Sequence, residues 1–143
     1  MDQTTTTRPW IDIGLLITRV GLGASMAVFH GWGKIYGGPE KWAGLGRAMG
    51  TFGVDVAPVF WGFCAAFAEF FGAILLAAGM FFRPAAFLLA FTMLVATVKH
   101  AIGGEMFAWP LDLLIVFTAL MITGPGRIAV RQLIPPLRDG VLG

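Results

Sequence analysis

Four long runs of apolar residues, parted by short polar or glycine-rich connections, constrain this chain more than any other feature. They cover residues 13–36, 59–82, 85–102 and 109–124. The first two exceed the roughly 20 residues that an α-helix needs to cross a hydrocarbon core of about 30 Å. The third lies near the lower limit. The fourth reaches it only with Trp109 and Pro110 at its start and the residues after Thr123 at its end. Composition agrees, because 57% of the 143 residues are hydrophobic and 13% charged, whereas soluble domains carry about 25% charged residues. Such a chain cannot cover its own surface with polar groups in water. The expected fold is therefore all-α: a single domain, residues 1–143, forming an integral membrane four-helix transmembrane bundle.

Proline supports the same boundaries independently. Pro9, Pro58, Pro84 and Pro110 each stand just before or at the start of a run, where the missing N–H has no intrahelical partner to lose. Trp10, Trp42, Trp61 and Trp109 lie near run ends, where amphipathic rings favour the headgroup region. Between the first two runs, Trp42, Leu45, Met49 and Phe52 recur at three- and four-residue spacing, with Lys41 and Arg47 on the wetter side. That pattern predicts a short interfacial helix within residues 38–58, followed by a turn at Gly53. Gly44, Gly46 and Gly50 weaken it, and an irregular loop is the alternative.

The basic residues are scattered singly at run ends and the formal net charge is +2, so nucleic acid is not an expected partner; the lipid bilayer is. An even number of spans puts both termini on one side, with Arg8, Arg83, Arg127, Arg131 and Arg138 against Lys34, Lys41, Arg47 and Lys99 on the other. That bias favours cytoplasmic termini. The N-terminus lacks the basic start of a secretory signal, so the first run reads as a retained span. Cys64 is the only cysteine, which leaves no intrachain disulfide and no CxxC motif. In an apolar run it is expected to be a packed, inert thiol.

Ionisable groups inside spans are costly, so they normally face the bundle interior and find partners. The candidates are Arg19 and His30 on the first helix, Glu69 on the second, Lys99 and His100 on the third and Asp112 on the fourth. Arg19 and His30 are eleven residues apart, close to three helical turns, so they share a face. Gly23 and Ala27 lie on the stripe between them, and Lys34 continues it. Gly62, Ala65, Ala66, Gly72 and Ala73 flank Glu69 in the same manner, so the two small-residue faces are expected to pack together. At about 1.5 Å per residue, His30 and His100 both lie roughly 24 to 26 Å from the presumed cytoplasmic end, with Asp112 near that level and Glu69 beneath.

This cluster admits several readings. It can be a hydrogen-bonded network that fixes helix registration. It can bind a quinone headgroup, with imidazoles donating to a quinone oxygen and a carboxylate handling the proton. The two histidines can ligate a metal or haem. A transporter or channel pathway is a further class, for which four short spans leave little room without oligomerisation.

The same residues carry a resemblance. Arg19-Val20-Gly21 followed by Phe29-His30-Gly31-Trp32-Gly33-Lys34, then Glu69-Phe70-Phe71-Gly72 and Gly79-Met80-Phe81-Phe82-Arg83-Pro84-Ala85-Ala86, and finally Gly124-Pro125-Gly126-Arg127, resemble in order the helix signatures of the DoxX family of bacterial inner-membrane proteins. Met93 and His100 are similar to its third helix. Where many relatives continue the closing turn with serine and aspartate, this chain has Ala129 and Val130. The resemblance implies a multi-pass protein of the bacterial inner membrane. Some relatives are membrane subunits of thiosulfate:quinone oxidoreductases, and others are linked to redox complexes that handle oxidative stress. The resulting expectation is a membrane subunit of a quinone-linked redox complex, working with other membrane subunits or with itself. Glu69 would handle protons, His30 and His100 would donate to the headgroup, Arg19 would be the electrostatic partner, and Asp112 would complete the pocket. The rival is a non-catalytic structural or assembly subunit.

Overall fold

A computed structural model of the protein describes residues 9–130, which contain helices and turns and no strand. Helix α1 spans Pro9–Ile35. Helix α2 spans Gly38–Gly46 and continues as a 3-10 turn over Arg47–Phe52. Helices α3, Pro58–Ala78, and α4, Phe82–Ile102, follow, and α5 spans Ala108–Thr123. By length and apolarity α1, α3 and α4 are able to cross a bilayer. The equally apolar α5 has 16 residues and is about 24 Å long. The expected four-helix transmembrane bundle is the observed fold. Its outer faces expose side chains such as Ile17, Phe67, Ile74 and Ile115, as helices solvated by lipid do.

The prolines sit where their chemistry allows. Pro9 and Pro58 are the first residues of α1 and α3, and Pro84 and Pro110 are the third residues of α4 and α5. Helix α3 ends at Ala78, earlier than its apolar run, because Gly79 turns left-handed at φ +73°. There the Gly79 and Met80 N–H groups donate to Leu76 and Leu75, both at 3.1 Å. This paired closure satisfies carbonyls that the helix end would otherwise orphan. The three-residue connection, residues 79–81, makes α3 and α4 antiparallel neighbours.

The core draws on every spanning helix: Met26 of α1, Leu76 of α3, Phe82 and Leu89 of α4, and Phe117 and Leu120 of α5 are all buried in one cluster. The small faces of α1 and α3 do meet, since a Cβ on Gly23 would lie 2.6 Å from the Ala73 carbonyl oxygen. Gly62, expected on that face, meets α2 instead, where a Cβ would overlap the Trp42 carbonyl. Gly46 of α2 approaches the Pro58 carbonyl in the same way. Helix α2 is thus the expected helix between spans, and the expected turn falls at Gly53, which is left-handed at φ +75°. It is bound tightly to the first half of α3.

Two stretches of the spanning helices depart from α-helical winding. Met26–Gly31 of α1 and Ala68–Gly72 of α3 are π-helical. Such turns are rare and recur at functional sites. Here they lie against each other, because a Cβ on Gly31 would stand 2.5 Å from the Glu69 carbonyl oxygen. Beyond the π turn, the half of α3 over Pro58–Phe67 packs on α2, and its backbone makes little contact with α4. Helix α4 is met there by the 3-10 turn Arg47–Phe52. Helices α3 and α4 therefore join at one end of the bundle and diverge toward the other.

Candidate functional site

The divergence leaves a cavity of about 620 Å³ between α3 and α4, roofed by α2 and its 3-10 turn. Leu45 and Met49 of the roof, Phe60 and Ala65 of α3, and Phe91 and Val95 of α4 make most of its wall apolar. Lys34, Glu69, Lys99, His100 and Trp109 close one end.

Glu69 is presented by the π turn of α3 and is 2% exposed. Lys34 Nζ stands 2.6 and 2.5 Å from its two carboxylate oxygens. A carboxylate so buried is tolerated only because the ammonium and its hydrogen bonds offset the lost hydration. The lysine is held in turn by its surroundings. Trp42 Nε1 donates to the Lys34 carbonyl at 2.8 Å, and Lys41 Nζ donates to the Gly33 carbonyl at 2.7 Å. Both satisfy carbonyls at the C-terminal end of α1, where a cation is also favoured by the helix dipole.

The equal depth assigned to the two histidines is realised through a third residue. The His30 ring stacks on Trp109 with centroids 5.7 Å apart and planes 16° apart, and His100 meets the same indole edge-on at 6.0 Å. His100 Nδ1 donates to the Glu105 carboxylate. Gly104, left-handed at φ +69°, brings Glu105 back so that its N–H donates to the His100 carbonyl at 2.9 Å. Lys99 Nζ lies 3.7 Å from the same carboxylate. The His100 hydrogen bond, reinforced by the Lys99 charge, holds the Glu105 carboxyl below the usual range. Trp61 lines the cavity as well, though its Nε1–H is buried away from that space and has no acceptor among the described residues.

Four expectations change. His30, expected to donate to a headgroup, lies off the cavity wall and reaches it only through Trp109. Arg19 is not part of this group: its guanidinium donates to the carbonyls of Ala77 and Ile128 at the opposite end of the bundle, with only Nε unpaired. Asp112 is exposed and lies off the cavity wall. Cys64 is not packed away but is exposed and lines the cavity, because α3 leans away from α4 at that level. Lys34, Trp61, Glu105 and Trp109 were not singled out for the site by sequence. Lys34 alone carried a signal, four residues beyond His30 on the same stripe. No cluster of three or more His, Cys, Asp or Glu suited to a metal forms among the described residues.

Fold and site together define a small multi-pass helical membrane protein whose apolar cavity ends in a buried ion pair. The chain belongs to the DoxX family, whose model matches residues 14–102. The matched stretch contains Arg19, His30, Lys34, Glu69 and His100, and leaves α5 outside. No curated protein and no solved structure matches the chain.

Proposed function

We propose that this protein is the membrane subunit of a redox complex and that its cavity receives the ring of a lipid-soluble quinone. The observation that carries the proposal is the buried Lys34–Glu69 pair on the wall of one apolar cavity. A quinone ring suits such a wall, and its carbonyl oxygens accept what His100 and Lys34 are able to donate. When bound, the quinone supplies the electron-carrying ring. Glu69 holds or passes a proton beside it, with Lys34 hydrogen-bonded to both of its carboxylate oxygens. His30 acts through the stacked Trp109, which it orients against His100. Because both imidazoles rest on that indole, a donor role is favoured over paired haem ligation. Arg19 serves the fold. The proposal places the chain in a bacterial plasma membrane with cytoplasmic termini, beside partner subunits that supply the electrons.

Thermal unfolding of the detergent-purified protein tests it. Decylubiquinone should raise Tm by several degrees in a dose-dependent way. The Lys34→Met/Glu69→Gln double variant, which leaves no charge unpaired, should lose that shift. The absence of any shift in the unaltered protein would overturn the quinone reading. The rival, a purely structural subunit, is favoured by how completely Lys34 and Glu69 satisfy each other. It gains if the double variant keeps the activity of the host complex.

A further inference from the structure

The cavity wall contains residues that are also on the outside of the bundle. Phe60 and Cys64 of α3, and Phe87, Leu88 and Phe91 of α4, line the cavity while being exposed. These residues place the cavity against the lipid-facing flank of two spanning helices, while the exposed Lys99 and Trp109 give it a second, polar rim. The opening follows from the divergence of α3 and α4, whose backbones meet at Ala68–Gly72 and part beyond it. Its apolar lip, with Phe87 and Phe91 stacked 6.4 Å apart, leads inward to Lys34, Glu69, Lys99 and His100.

From this graded polarity we infer that the ligand enters sideways from the bilayer, and that its hydrocarbon tail stays in the α3–α4 cleft while its polar ring rests at the ion-pair end. The site therefore suits amphiphiles borne by the membrane, a ring joined to a flexible apolar tail. An apolar tail gains little by moving from lipid into an apolar cleft, since the two environments solvate it alike. The cleft thus confers orientation: it points the ring toward the polar end and leaves the tail in contact with lipid. This rests on the quinone reading of the same cavity and adds the route and the placement of the tail.

Cys64 gives a direct probe, because it is the only cysteine in the chain and stands in the cleft rather than at the polar end. Purified protein in lipid nanodiscs is treated with N-ethylmaleimide, and the mass increase is followed in time. Decylubiquinone carries a tail; duroquinone is a fully substituted quinone ring without one. Tm is recorded with each ligand in parallel. If the inference holds, decylubiquinone raises Tm and slows Cys64 labelling at least tenfold, while duroquinone changes the labelling rate less than twofold. If decylubiquinone raises Tm and leaves labelling unchanged, or both quinones protect Cys64 equally, the tail does not occupy the cleft and the quinone reading survives alone. If neither ligand raises Tm, the quinone reading fails and the inference with it. A Thr92→Trp variant supplies the converse test, since an indole on the cleft wall should weaken decylubiquinone at least fivefold and spare duroquinone. Equal weakening of both would also count against a tail in the cleft.

Discussion

Helix α1 carries one cation to each end of the bundle, and the two are treated differently. Arg19 reaches the last carbonyls of α3 and the segment after α5, donating to Ala77 and Ile128. A Cβ on Gly79 would lie 2.8 Å from its guanidinium, so backbone fills the space around it. Nearby, Asp12 accepts from the Arg127 N–H at 2.9 Å, and this end is sewn shut. At the other end Lys34 meets a carboxylate rather than carbonyls, and Glu69 faces a cavity. A buried cation answered by fixed backbone dipoles has no proton to exchange and locks helices in place. One answered by a titratable group beside an open space is able to do chemistry. Burial of charge by itself does not tell these apart; the partner and the adjoining volume do.

The sharpest way to break this comparison is to remove one member of the Lys34–Glu69 pair. Lys34→Met leaves a carboxylate buried alone and should cost about 3–5 kcal/mol, read by unfolding in mixed micelles. The double variant with Glu69→Gln should recover much of that loss, and a loss equal to the single variant's would show that the pair is not the reason. Arg19→Met comes next. It removes two hydrogen bonds from a charged donor and should cost about 3 kcal/mol without altering any quinone-induced rise in Tm. An effect on that rise would join the two ends functionally. Gly31→Ala should follow at about 1–3 kcal/mol, because its methyl meets α3 backbone at Glu69 and has nowhere to go. Its signature is a displaced Lys34–Glu69 pair, visible as a diminished quinone shift, whereas Gly23→Ala should loosen the bundle and spare the cavity.

The smallest effect is expected at Glu105. Its folded pKa lies below the ordinary value, with the His100 hydrogen bond as the main cause. The order it gives residues 103–107 is thus fully present above the ordinary carboxyl pKa of about 4.3. That order is lost as pH falls through the lower folded value. Amide hydrogen exchange in this turn should quicken across that acid range. In Glu105→Gln the acid step should vanish, and its persistence would assign it to another group.

Much of this architecture is legible in the chain itself. Apolar runs of spanning length, prolines confined to first turns and glycines at closures are local features, and each constrains the segment that contains it. The inward facing of Arg19 and Glu69, now 3% and 2% exposed, follows equally from the cost of placing charge against acyl chains. Arg8, Arg131 and Arg138, counted for the orientation of the termini, lie outside the described residues.

Partner choice was not legible. Counting at 3.6 residues per turn assumes unbroken α-helix, and the π turns at Met26–Gly31 and Ala68–Gly72 each interrupt that count near the site. One added residue rotates everything beyond it by roughly 100° about the helix axis, so spacing put Lys34 on the stripe facing α3 without singling out Glu69 as its partner. The splay of α3 away from α4, which makes the cavity and exposes Cys64, depends on Gly46 and Gly62 letting α2 dock. That contact joins segments far apart along the chain, and no local pattern records it. Sequence settled which solvent the helices face and which groups must turn inward; packing between distant backbones settled whom those groups meet and where space remains.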